Sequence, residues 1–215
     1  MQENKADILS DFDYAFALAI LKKGGIVAYP TETFYGLAVD PENSRAIDAL
    51  YTLKKRERNK TFSLIVPDIK VLHSWVSSYP QVYDTLISTF WPGPLTLIFS
   101  GLANRLTLVK DQNNTLAIRI SSHPVAQKLV ELWGKPLTAS SANISGESSC
   151  TEGSRIEAFL GHRKVVILNG GSVCGGKGST IVSCRGTRCN ILRKGVISTS
   201  SIKAVLPNNY TICKK

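Results

Sequence analysis

Apolar residues shift between helical and strand spacing along the 215-residue chain, and these changes of period lay out its elements. Phe12, Ala15, Phe16, Ala19 and Ile20 recur at helical spacing, and Gly24-Gly25 follows as a stop signal. Residues 26–29 then read as a buried strand that delivers the segment Pro30-Thr31-Glu32-Thr33-Phe34-Tyr35-Gly36-Leu37 at its end. Asn43 or Ser44 can cap a second helix with Ile47, Leu50 and Leu53 on its core face and Lys54 and Arg56 near its C-terminal end. Residues 62–66 have strand character, and 82–90 read as a helix that breaks at Trp91-Pro92-Gly93-Pro94.

Residues 95–99, 106–109 and 116–120 are rich in Leu, Ile, Val and Thr and predict strands. Pro124 suits the first turn of a helix that runs through Trp133 and stops at Gly134. Residues 137–139 lead into the polar loop Ser140-Ser141-Ala142-Asn143-Ile144-Ser145-Gly146. A short helix near 156–160, a strand at 165–168 ending in Gly170-Gly171, and two short strands at 180–184 and 190–193 complete the series. Helices and strands alternate early and strands cluster in the middle, which predicts an α/β fold: a single domain over residues 8–200, with a twisted mixed sheet flanked by helices. Residues 201–215 read as a C-terminal tail or short terminal helix.

Composition narrows the class. Apolar residues make up 43% and charged residues 20%, a globular balance. No run of 18 or more apolar residues suggests a membrane-spanning helix, and the acidic N-terminus lacks the basic start and apolar core of a secretory signal. A cytoplasmic protein with no membrane partner is the expectation. The net charge of +10 attracts anions, with nucleic acid and nucleotide phosphates both eligible. Five widely spaced cysteines without C-x-x-C argue against a disulfide framework and a zinc site, and the three histidines form no ligand pattern.

Three segments carry the candidate chemistry. The first places hydroxyls and a glycine after an apolar run, and Lys54-Lys55-Arg56-Glu57-Arg58-Asn59-Lys60 supplies five cations within seven residues. The third, 140–146, is rich in hydroxyls and amides. Together they suit a ligand with phosphates and an amino-acid-sized polar group. Arg119, in a strand whose neighbours Ile118 and Ile120 face the other way, is costly to bury unless it meets an anion, and a substrate anion is favoured over a structural salt bridge. Glu32 shows no partner that would make it a general base. Residues 171–178 approach the P-loop pattern, but Gly178 stands at the Ser/Thr position and a strand follows where a helix is required. That glycine-rich stretch is expected to be a loop over the site.

In order and setting these segments resemble the YrdC/TsaC family, the threonylcarbamoyl-AMP synthases, whose hallmarks are P-T-(E/D)-T-x-Y-G-L, a K-x-R cluster and S-A-N-x-S-G. Leu116-Ala117-Ile118-Arg119, Trp91-Pro92-Gly93-Pro94-Leu95-Thr96, Gly178-Ser179-Thr180-Ile181-Val182 and Ile191-Leu192-Arg193-Lys194-Gly195 extend the likeness to about residues 24–196. The resemblance implies a YrdC-like domain and a nucleotidyltransferase that joins L-threonine, bicarbonate and ATP into threonylcarbamoyl-AMP and pyrophosphate for threonylcarbamoyladenosine in tRNA. It assigns Lys54 and Arg56 to catalysis, as cations that stabilise departing charge. Thr33, Arg119 and Ala139 are assigned to L-threonine, and Arg56, Lys60, Thr115, Ser141, Asn143, Ser149 and Arg193 to ATP. Magnesium is expected with ATP and not in a protein-held site. The implied partners are downstream tRNA threonylcarbamoyltransferase proteins, with weak binding to tRNA or other RNA. Thr61 and Phe62 stand where the family often has proline and leucine, and Ile65 where some members have histidine. The alternative is a YrdC-like RNA- or ribosome-binding protein without synthase activity. A nucleotide-binding regulatory subunit is a third.

Overall fold

The computed structural model describes residues 8–9, 13–100, 108–160 and 165–213. Asp13 starts helix α1 (Tyr14–Lys22) by accepting the Phe16 N–H at 2.8 Å. The residues it buries are Ala17 and Leu21, one turn apart, while Phe16 is 38% exposed. The core face is therefore rotated from the one expected through Phe16, Ala19 and Ile20; Phe12 lies outside the described residues.

Strand β2 (Ile26–Pro30) is buried throughout because both its faces are covered. Ile26 and Ala28 enter the main core, whereas Val27 and Tyr29 enter a second cluster shared with α1 and with α5 (Pro124–Trp133). β2 turns back onto β3 (Tyr35–Ala38) as an antiparallel hairpin with Pro30 opposite Tyr35. The pairing extends to a five-stranded sheet in the order β1 (Ile8–Leu9), β9 (Val165–Leu168), β2, β3, β8 (Ser140–Ser141).

A second, seven-stranded sheet has the order β12 (Thr211–Cys213), β11 (Arg188–Arg193), β10 (Thr180–Arg185), β5 (Leu95–Phe99), β6 (Leu116–Arg119), β4 (Leu64–Ile65), β7 (Leu137–Thr138). The mixed α/β class agrees with expectation, but the single sheet is two mixed sheets. Tyr35 and Leu37 from the first and Leu64, Leu95, Leu97 and Ile118 from the second share one apolar core.

Helix α2 (Ser44–Lys54) is capped by Asn43, which accepts the Ala46 N–H, and it buries Ile47, Leu50 and Leu53 as expected. The short α3 (Ile69–Trp75), capped by Asp68, had no sequence expectation; α4 (Val82–Phe90) and α6 (Gly153–Leu160) fall at or near expected positions. Of the expected strand at 106–109, residues 106–107 lie outside the described residues, and Leu108 and Val109 form a turn.

The β10–β11 hairpin turns through Gly186, whose φ of 56° suits glycine, and it sets Cys184 opposite Cys189. These two form a disulfide, whereas the number and spacing of the cysteines argued against a disulfide framework. Their register, which brings the Cα atoms to 4.1 Å, is a property of the hairpin that cysteine spacing alone does not display. Beyond residue 200 the chain completes α7 (Thr199–Val205) and adds β12, which pairs in parallel with β11.

Candidate functional site

The β2–β3 turn is fixed by Thr31. Its Oγ1 donates to the Phe34 carbonyl at 2.7 Å and accepts the N–H groups of Thr33 and Phe34. Pairing of β3 with β8 sets Gly36 opposite Ser141, so the 140–146 loop starts beside this turn. Gly36 sits close to the Tyr29 ring, and a Cβ there would stand 3.0 Å from it, so a larger residue would press the ring back. From the second sheet, Ser63 and Ala139 bond to each other twice, through Ala139 N–H to the Ser63 carbonyl and Ser63 Oγ to the Ala139 carbonyl. Ser179 lies between Thr96 and Arg193, bonded to both.

These elements surround a cavity of about 250 Å³. Of the residues expected in the site, Thr33, Arg56, Arg119, Ala139, Ser141, Ser149 and Arg193 line it. Thr31, Thr61, Phe62, Ser63, Ser140 and Ser179 line it as well. Thr31 and Ser179 belonged to motifs already singled out, whereas the contact between Ser63 and Ala139 left no signal in the sequence.

Three guanidinium groups and no carboxylate face this space, a lining suited to a polyanion. Arg56 is braced by its Nε to the Lys60 carbonyl and its Nη2 to the Thr61 carbonyl, both at 2.8 Å, and its guanidinium lies over the Phe62 ring. Burial pushes its pKa down. Arg193 holds the Ser179 carbonyl through Nε and Nη2, and Gly178 passes close under its guanidinium. Arg119 lines the cavity and also makes the ion pair that had been judged the less favoured alternative: Glu32 accepts from Arg119 Nη1 and from Ser121 Oγ. Glu32, which showed no partner in the sequence that would make it a general base, is occupied by these two donors.

Four expected residues do not line the cavity. Lys54 is 1% exposed, and its Nζ donates to the Ser141 carbonyl, the Asn143 carbonyl at 2.8 Å and Asn143 Oδ1 at 3.0 Å. Burial first, and Arg56 second, push its pKa down to about 7. Its three acceptors match the three hydrogens of the charged form. Asn143 is itself engaged, accepting from Ser141 Oγ and donating to the Glu147 carbonyl. Lys60 is exposed and paired with Glu57, and Thr115 gives both its N–H and its hydroxyl to Asp111.

The glycine-rich stretch reaches the rim: Gly175 N–H bonds to the Thr33 carbonyl and Val173 N–H to the Thr151 carbonyl. Among the described residues no group of three or more His, Cys, Asp or Glu could hold a metal, and no helix is long and apolar enough to cross a membrane. With no carboxylate in the cavity lining, the residues present do not fit a protein-held magnesium ion.

The family described as Sua5/yciO/yrdC, telomere recombination, matches residues 19–195. The chain is similar to a threonylcarbamoyl-AMP synthase of Vibrio vulnificus, at 40% identity over 70% of this chain and 82% of that protein. It is also similar to one of Bacillus subtilis, at 35% over 92% of this chain and 57% of that one. Among solved structures, P. abyssi Sua5 complexed with L-threonine superposes with a TM-score of 0.86 at 28% identity, covering 97% of this chain. The present chain spans 61% of that longer one.

Proposed function

Because the chain belongs to the Sua5/YciO/YrdC family, we propose that it is an L-threonylcarbamoyladenylate synthase. It joins L-threonine, bicarbonate and ATP into threonylcarbamoyl-AMP and pyrophosphate, a nucleotidyl transfer that supplies threonylcarbamoyladenosine formation in tRNA. One observation carries the reading: Arg56, Arg119 and Arg193 converge with the hydroxyls of Thr33, Ser141 and Ser149 on one cavity free of carboxylates.

The chemistry needs positioning more than a covalent nucleophile. The threonine nitrogen bonds to the carbon of bicarbonate-derived CO2 and releases a proton, and a carbamate oxygen then attacks the α-phosphorus as pyrophosphate leaves. Arg119, held by Glu32, faces the amino-acid carboxylate beside Thr33 and the Ala139 backbone. Arg56 and Arg193 face the phosphates, where charge grows in the transition state. Lys54 acts at one remove, anchoring the Ser141–Asn143 backbone from behind. Magnesium would come as part of the ATP substrate, neutralising phosphate charge, with no residue of this chain assigned to hold it.

Incubation with ATP, L-threonine, bicarbonate and magnesium tests the proposal. Pyrophosphate release that depends on both threonine and bicarbonate is expected, and release indifferent to threonine would reject it.

A further inference from the structure

Arg56 is held from three directions, and one of them is aromatic. Its Nε–H goes to the Lys60 carbonyl and one Nη2 hydrogen to the Thr61 carbonyl, both at 2.8 Å. These bonds use one edge of the planar guanidinium, so the edge formed by Nη1 and Nη2 is left for a ligand in the cavity. Two in-plane bonds still let the group rock about the line through its acceptors. The Phe62 ring closes that freedom. Its centroid lies 5.3 Å from the guanidinium carbon, inside the roughly 6 Å over which the negative face of a ring attracts a cation. Phe62 has little room to give way, since it is 1% exposed and the Tyr51 ring lies 4.5 Å from it between centroids. Tyr51 is fixed in turn: its hydroxyl donates to the same Lys60 carbonyl at 3.3 Å, and Arg58 lies over its ring at 5.1 Å. Arg58 is tied to Asp48 by an ion pair. Two rings thus stand between a cation in the cavity and a cation at the surface.

We propose that Phe62 is a positioning residue for the transfer step, whose π face holds the plane of Arg56 so that its free edge meets phosphate charge already oriented. The proposal rests on the synthase reading above, in which Arg56 faces the phosphates. Any apolar side chain of similar volume would fill the space against Arg56, but only a ring offers a face of negative potential. Leucine, which the family often has where Phe62 stands, has no such face. Burial strengthens the attraction, because water screens it less. The consequence falls on the transition state. A cation held in place stabilises charge as it grows, whereas a loose one must first give up rotamer freedom.

The test keeps the shape of the ring and changes its charge distribution. Phe62 is replaced by mono-, tri- and pentafluorinated phenylalanine, and kcat for threonine-dependent pyrophosphate release is measured for each protein. Fluorine withdraws electron density from the ring face, so kcat should fall stepwise, by on the order of tenfold across the series, with the urea unfolding midpoint little changed. Phe62→Leu should lose activity to a similar extent. In an Arg56→Ala background neither change should lower kcat further by more than about twofold, since the group that the ring positions is gone. A flat fluorinated series would reduce the ring to packing and overturn the proposal. So would a loss that persists in full in Arg56→Ala, because Phe62 would then act on the substrate directly. If Phe62→Leu fails to fold, the fluorinated series, with its nearly unchanged side-chain shape, still decides. A wild-type protein without threonine-dependent release rejects instead the synthase reading on which the proposal rests.

Discussion

Replacing Lys54 with methionine separates two effects that oppose each other at neutral pH. The fully buried ammonium satisfies three oxygen acceptors, and leaving these unpaired costs about 1–3 kcal/mol each. Against this stands the cost of burying the charge. The pKa falls from 10.5 to about 7, and at about 1.4 kcal/mol per unit the proton held by the folded chain near pH 7 costs on the order of 5 kcal/mol. Between pH 7 and 10.5 the unfolded chain binds this proton more tightly than the folded one. Wild-type stability should therefore rise with pH through that window, and the contribution should be flat below it. The methionine variant lacks the titration. Urea unfolding of both proteins at several pH values should show the wild type gaining on the variant by about 1.4 kcal/mol per pH unit in mid-window. The loss of acceptor partners shifts the whole difference but not its slope. Parallel stability curves would mean that Lys54 keeps an ordinary pKa, and the account of its burial would be wrong. Synthesis should fall in the variant at every pH, because the backbone that carries Ser141 loses its anchor.

Arg56→Ala should lose at least a hundredfold in kcat with little change in unfolding midpoint, since a preorganised cation acts on developing charge; near-normal turnover would place it outside the chemistry. Arg119→Ala should abolish use of threonine while retaining ATP affinity, but it also strands the Glu32 carboxylate, at a cost of roughly 3–5 kcal/mol. Adding Glu32→Gln should recover stability without recovering threonine use, and recovery of both would make the arginine purely structural. Residues 158–215 contain ten Lys or Arg and no Asp or Glu, which accounts for the whole net charge of +10. RNA binding is accordingly expected to be weak and steeply salt-dependent, with Arg185→Ala/Arg188→Ala reducing the salt slope by about one or two; tight sequence-specific binding without adenylate formation would favour the RNA-binding alternative.

The fold was legible where one period dominated. Helix α2 came out with its cap and core face because Ile47, Leu50 and Leu53 recur without a competing apolar stripe. Helix α1 offered several such stripes, and the side that meets the sheet and α5 is decided by tertiary packing, which buries Ala17 and Leu21. The division into two sheets depends on pairings such as Gly36 with Ser141, more than a hundred residues apart, and strand propensity contains no term for the partner.

In the site, motifs identified which segments converge, but not the direction in which each side chain points. Lys54 and Arg56 are two residues apart at the end of one helix, yet Lys54 turns inward to backbone carbonyls while Arg56 reaches the cavity over Phe62. The partners that turn Lys54 are main-chain oxygens, and these have no signature in a sequence of side chains. The same holds for Thr31, whose hydrogen is directed by the Phe34 carbonyl. Arg119 fails in the opposite way, because its partner Glu32 was visible but separated by 87 residues. Its pairing leaves the arginine able to meet a substrate anion, since one guanidinium nitrogen holds Glu32 while the group as a whole still lines the cavity. Substrate anchor and structural ion pair, set against each other in the sequence, are thus compatible roles of one side chain, and in the proposed synthase Glu32 would hold Arg119 in place for its ligand.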